Sequence, residues 1–142
     1  MLKKELSPDI IEYVFEPKKE QHFGNRITAL LNKGKVILID TGYKHQAMEV
    51  IKDLDKNHLA IESIVITHFH DDHMEGLNVM PCVPVYGSSN YKNTLDRWTP
   101  KEEHEHYIPS VSVSTPLKIQ FGRHEIEVIP FPGHSVCTSI IT

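Results

Sequence analysis

Between Ile66 and Leu77 the sequence reads ITHFHDDHMEGL, with three histidines and two aspartates in six consecutive positions directly behind an apolar run. Imidazole and carboxylate side chains hold transition-metal ions. Nitrogen donors with a single carboxylate suit zinc, iron or manganese rather than calcium or magnesium, which take oxygen shells. On an extended lead-in His68 and His70 point to the same side, because strand side chains alternate with period two, so this pair can grip one cation. Asp72 and His73 follow as the chain turns away into a short helix around HMEGL, where they can face a second cation. Single histidines behind a strand are commonly surface residues, whereas a run this dense at a strand end has the composition of a ligand set.

The elements that must position this run lie on either side of it. IESIVIT (Ile61 to Thr67) is apolar on both faces, the pattern of a strand covered by a helix, and in α/β proteins ligands gather at the carboxyl ends of such strands. Upstream, DIIEYVF (Asp9 to Phe15), RITALLN (Arg26 to Asn32) and KVILID (Lys35 to Asp40) are rich in branched and aromatic residues and predict an antiparallel opening sheet, with a turn at Gly34. Ala47, Val50, Ile51 and Leu54 recur at helical spacing and predict an amphipathic helix from His45 to Asn57 that covers the sheet. Downstream, PVYGS (Pro84 to Ser88) predicts a short strand. Asn90 to Ser110 is a mixed region, within which KEEHEHY reads as a solvated, lid-like segment that carries His104 and His106. PLKIQF and HEIEVIPF form a hairpin about Gly122 and Arg123. No repeat or linker divides the chain, so residues 1–142 read as one α/β (α+β) domain.

Composition narrows the function classes. A net charge of -4 gives no electrostatic case for nucleic acid or an anionic membrane surface. No stretch approaches the roughly 20 apolar residues of a membrane span, and MLKKELSPDI lacks the apolar segment of a secretory signal, so the expectation is a cytoplasmic protein without nucleic-acid or membrane partners. Cys82 and Cys137 are far apart and predict reduced, packed thiols rather than a disulfide or a cysteine metal site.

With His68, His70, Asp72 and His73 in a His-x-His-x-Asp-His run behind a strand, the chain strongly resembles the metallo-β-lactamase superfamily. Two further landmarks fall in that family's order: LIDTG (Leu38 to Gly42), similar to the family's early strand ending in aspartate, and PFPGHS, ending at Ser135, similar to the segment that supplies a later histidine ligand. The resemblance implies the amino-terminal half of a four-layer αβ/βα sandwich, apparently truncated at the carboxyl end. It implies His68, His70 and His134 as ligands of a first metal and Asp72 and His73 in a second site. Asp40 would orient a ligand imidazole by hydrogen bonding, and Asp72 would act in catalysis by holding the nucleophile. After His134 the sequence contains no Asp, Glu or His, so the dinuclear site is expected to be incomplete. The HSVCTS segment also lacks the Pro-Gly often found after that histidine.

The function so implied is that of a metal-dependent hydrolase. It would use one or two zinc ions, with iron or manganese as alternatives, to turn water on an ester, thioester, lactone or related bond of a small-molecule substrate. Two other readings stand beside it: an iron-dependent oxidoreductase on the same scaffold, and a noncatalytic metal-binding half-domain. Strands apolar on both faces, with a helix on one side only, lead to a further expectation. The open sheet face should drive self-association, most simply as a homodimer.

Overall fold

The computed structural model describes residues 1–20 and 23–142. The chain begins with β1 (Leu2–Ser7), β2 (Ile10–Phe15), β3 (Asn25–Asn32) and β4 (Lys35–Ile39), an antiparallel run in sequence order. The connection from β3 to β4 turns at Gly34, whose φ of 80° lies in the left-handed region. Helix α1 (Lys44–Lys56) then crosses back, and β5 (Ala60–Val65) pairs parallel with β4. The histidine-rich run leads into α2 (Asp71–Met74), followed by a 3-10 turn over Glu75–Val79, β6 (Val85–Ser88), α3 (Tyr91–Trp98), a second 3-10 turn over Lys101–Tyr107, and β7 (Val111–Val113). Strands β1 to β7 form one seven-stranded sheet in sequence order, with β5, β6 and β7 parallel. Strands β8 (Leu117–Phe121), β9 (His124–Pro130) and β10 (Ser139–Ile141) form a second, antiparallel sheet.

Period-two alternation decides what each face of the large sheet meets. Val36, Leu38, Ile64 and Ile66 face the helices and pack with Val50, Leu54, Met74, Leu95 and Tyr107. Their neighbours Ile37 and Val65, with Leu30, face the other way and pack with Phe121, Ile126 and Val128 of the small sheet. The result is three layers: helices, the large sheet and the small sheet. The hairpin about Gly122 and Arg123 is thus the start of the second sheet. It covers the face that the sequence reading left open, which removes the premise for association face to face.

Three further differences have local causes. Strand β1 escapes the sequence reading because LKKELS is polar and mostly exposed; pairing with β2 and the 2.8 Å bridge from Lys3 Nζ to Asp53 Oδ2 hold it. The helix after IESIVIT starts at Asp71, earlier than HMEGL, and the chain tightens to 3-10 geometry at Glu75. The Asn90 to Ser110 stretch is ordered, because Thr94, Leu95 and Tyr107 are buried while their neighbours face solvent.

Candidate metal centre

The site is built on strand ends. Strand β5 stops at Val65, and Thr67 to His70 continue in irregular backbone until α2 begins at Asp71. The carboxyl end of β4 lies alongside: Asp40 N–H donates to Val65 O at 2.8 Å and Thr41 N–H to His73 O at 2.8 Å. Thr41 Oγ1 also donates to His73 O, and Asn25 Nδ2 donates to Asp72 O at 2.6 Å, so backbone carbonyls of α2 are fixed from β3 and β4. Gly76 N–H donates to Gly42 O at 2.8 Å. A Cβ on Gly76 would sit 2.6 Å from Thr41 O and 2.6 Å from Ala47 Cβ, which is why the run needs glycine there.

The rings of His68, His70 and His134 converge from two separate loops. Ring centroids lie 4.8 Å apart for His68 and His70, 4.9 Å for His68 and His134, and 5.0 Å for His70 and His134. One nitrogen of each lies within 4.8 Å of the others, as does a second grouping of His68, Asp72 and His73. Burial, with the neighbouring His73, His70 and His134, pushes the His68 imidazole down to about 3, and burial and His134 lower His70 as well. Both rings are therefore neutral at pH 7, the ligating form. Three facing nitrogens fit a tetrahedral cation with one open position.

Asp40 is buried and sits under the site with a φ of 62°, a left-handed conformation that aspartate tolerates. Its Oδ1 accepts the Thr67 N–H at 2.8 Å, and its Oδ2 accepts the Thr67 hydroxyl at 2.8 Å and His73 Nδ1–H at 2.7 Å. The Thr67 hydroxyl proton points at Asp40, so Thr67 Oγ1 is left to accept from His68 Nδ1 at 3.2 Å. That leaves Nε2 of His68 for a cation, and Nε2 of His73 once a cation displaces the proton it carries. His73 Nε2 is 3.4 Å from Asp72 Oδ2. Burial opposes charge on His73, but its bonds to Asp40 and Asp72 outweigh that and lift it to about 10. The His73 bond in turn holds Asp72 below the usual carboxylate range, against the effect of burial.

The structure thus brings His68, His70, Asp72, His73 and His134 together over Asp40. His104 and His106 stay outside both groupings; His104 Nε2 meets Thr99 O at 2.9 Å instead. Thr67, Asn25 and Thr41 were not singled out in the sequence. Thr67 adjoins the histidine run and could have been, but Asn25 lies 47 residues from its partner Asp72 and left no local signal. Beside His70 and Asp72 opens a cavity of about 270 Å³ lined by Phe23, Tyr43, Asp71 and Trp98.

Comparison with known proteins bears on the fold and the family. A metallo-β-lactamase from Pontibacter korlensis superposes with a TM-score of 0.82 at 21% identity, covering 99% of this chain and 65% of its own. The DIM-1 metallo-β-lactamase gives 0.77 at 16% identity, covering 99% of this chain and 63% of its own. Two hydroxyacylglutathione hydrolases match in sequence: one of Idiomarina loihiensis, 40% identical over 110 residues, and one of Hahella chejuensis, 29% identical over 109. Each match covers 74% of this chain and 36% of the relative, so the chain spans about a third of these relatives' length. The family described as Anti-Pycsar protein Apyc1 matches residues 17–100, more than half of the chain. The chain belongs to this family, within the metallo-β-lactamase superfamily. Its matched segment contains Asp40, His68, His70, Asp72 and His73, and it ends before His134. Among the described residues no helix is long and apolar enough to cross a membrane.

Proposed function

We propose that the chain is the metal-binding part of a hydrolase that turns water on an ester, thioester or lactone carbonyl, with a thioester as the first substrate class to test. The observation that supports this most directly is the convergence of three imidazoles, His68, His70 and His134, with a carboxylate oxygen of Asp72 within 4.8 Å of a His68 nitrogen. The hydroxyacylglutathione hydrolases favour a thioester by their names. Zinc fits the donor set best, with iron or manganese as alternatives. When bound, such a cation lowers the pKa of water toward about 7 and polarises the electrophile.

The chain's own residues do the rest. His68 and His70 offer lone pairs because burial keeps their protons off. Asp72, ionised beside His73, is positioned to accept a proton from the attacking water and to orient it. The cavity between Phe23, Tyr43 and Trp98 gives an acyl or leaving group an apolar wall beside His70. The cytoplasmic placement belongs to the same proposal: Cys82 is exposed and Cys137 buried, both unpaired, which suits a reducing compartment.

Elemental analysis and turnover of a hydroxyacylglutathione thioester test the reading together. The expected result is at most one tightly held metal per chain, lost in the His68→Ala His70→Ala double variant. Turnover should be weak with this chain alone and fall at least about 100-fold in Asp72→Ala, since even small misplacement of reacting groups costs that much. Two equivalents of tightly held metal in the wild-type chain would refute the single-site version, and turnover unchanged by Asp72→Ala would refute its assigned role.

A further inference from the structure

Two loops deliver the metal-binding histidines, and one sulfur ties them together. Cys137, three residues beyond His134, is fully buried in the helix-side core. Its Sγ accepts the backbone N–H of Phe69, the residue between His68 and His70, at 3.3 Å. It also lies 3.0 Å from Thr94 Oγ1 of α3 and 3.2 Å from Ser135 Oγ, next to His134. An amide can only donate and a thiol has one proton to give, so the sulfur is an acceptor for one ligand loop and a partner in the other.

His134 needs such an anchor because its own segment is exposed. The bonds of Gly133 N to Ser135 O at 3.1 Å and of Ser135 N to Thr138 Oγ1 at 3.0 Å close that turn upon itself without fixing it to the His68 loop. The ties across are Ser139 N to Thr67 O at 2.7 Å, which aligns the strand end, and the Cys137 sulfur, which reaches the amide between the two histidines. Coordination tolerates deviations of only about 0.2 Å in ligand distance, so the separation of the two loops governs affinity.

We propose that Cys137 is a positioning residue of the metal centre, holding the His134 loop at the distance from His68 and His70 that a cation requires. Complete burial and occupied bonding positions rule it out as a nucleophile toward substrate. The proposal rests on the metal-binding reading above.

Cobalt(II), titrated into the purified metal-free chain and followed by its visible absorption, separates the two. The expected result is that Cys137→Val, close in volume but unable to hydrogen-bond, binds cobalt about 10- to 100-fold more weakly, with shifted ligand-field bands. Its metal-free melting temperature should stay within about 5 °C of wild type. Cys137→Ser, which can still accept the Phe69 amide, should recover most of the affinity and the wild-type spectrum. Wild-type affinity and spectrum in Cys137→Val would overturn the proposal, and so would a Cys137→Ser loss as large as that of valine. Should Cys137→Val not fold, Cys137→Ala is read by the same two criteria. A wild-type chain that binds no cobalt overturns the metal-centre reading first and this proposal with it.

Discussion

Replacing Asp40 tests how the candidate metal-site loop is held. Asp40→Asn preserves the side-chain shape and tolerates the φ of 62°, so its backbone cost is small. Its remaining carbonyl oxygen can keep the Thr67 N–H bond, while the new amide group faces His73 Nδ1, which in the wild type donates to Oδ2 at 2.7 Å. One charge-assisted bond is lost, for about 2 kcal/mol. Asp40→Ala loses that bond as well, leaves the Thr67 N–H without its acceptor for roughly another 2 kcal/mol, and adds about 1 kcal/mol for a left-handed alanine. The expected destabilisation is therefore about 2 kcal/mol for asparagine and about 5 kcal/mol for alanine. The second figure approaches the whole stability of a small domain. Urea unfolding at pH 7 in excess chelator, followed by circular dichroism, measures both. Asparagine also has a consequence for metal: the His73 ring can accept from the new donor only with a bare Nδ1, which keeps its proton on Nε2, the nitrogen a cation needs. Equal losses in the two variants would refute the backbone argument. A loss below about 0.5 kcal/mol for asparagine would show that the buried carboxylate does not hold the loop.

Three more outcomes follow from the same structure. Gly76→Ala should destabilise by about 1–3 kcal/mol, because its Cβ would meet Thr41 O and Ala47 Cβ at 2.6 Å, whereas Gly133→Ala, with only Phe131 O near at 3.9 Å, should be close to neutral; equal melting temperatures would contradict this. Asp9 joins the β1–β2 turn to β9 through Arg123 and His124, and the Arg123 guanidinium, helped by Ser7, holds its carboxyl well below the ordinary 3.8. A depressed carboxyl contributes stability that is complete above its unfolded pKa and is lost as pH falls toward the folded one. The urea midpoints of wild type and Asp9→Asn should therefore differ at pH 6 and converge below pH 4; a gap that widens on acidification would contradict the assignment. With the inner face of the large sheet covered, we propose that self-association uses the outer edge of β10, where Ile140 is exposed. Sedimentation at micromolar concentration should show a dimer that Ile140→Lys disperses, and a concentration-independent monomer would refute it.

The sequence by itself determined the candidate donors and the local geometry that carries them. Period two in KVILID and IESIVIT assigns each side chain to a face, and the jump from an apolar strand to His68, His70, Asp72 and His73 marks the strand end as the site. These are properties of neighbouring residues, set by backbone geometry over a few positions. Tertiary structure decided what depends on closing long loops. His134 stands 64 residues beyond His70, and a Pro-Gly-His turn alone does not say whether its ring meets the others; the packing of β8, β9 and β10 on the large sheet brings it to 5.0 Å. The hairpin about Gly122 has the same alternation whether it lies at an edge or starts a second layer, and only Phe121, Ile126 and Val128 meeting Leu30, Ile37 and Val65 chooses between these. The supports of the site were hidden for the same reason: Asn25, Thr41 and Cys137 are ordinary residues in their own segments, and their roles come from hydrogen bonds to partners 32 to 68 positions away. A local pattern can specify which atoms coordinate, but the distances between loops are fixed by the core that packs beneath them.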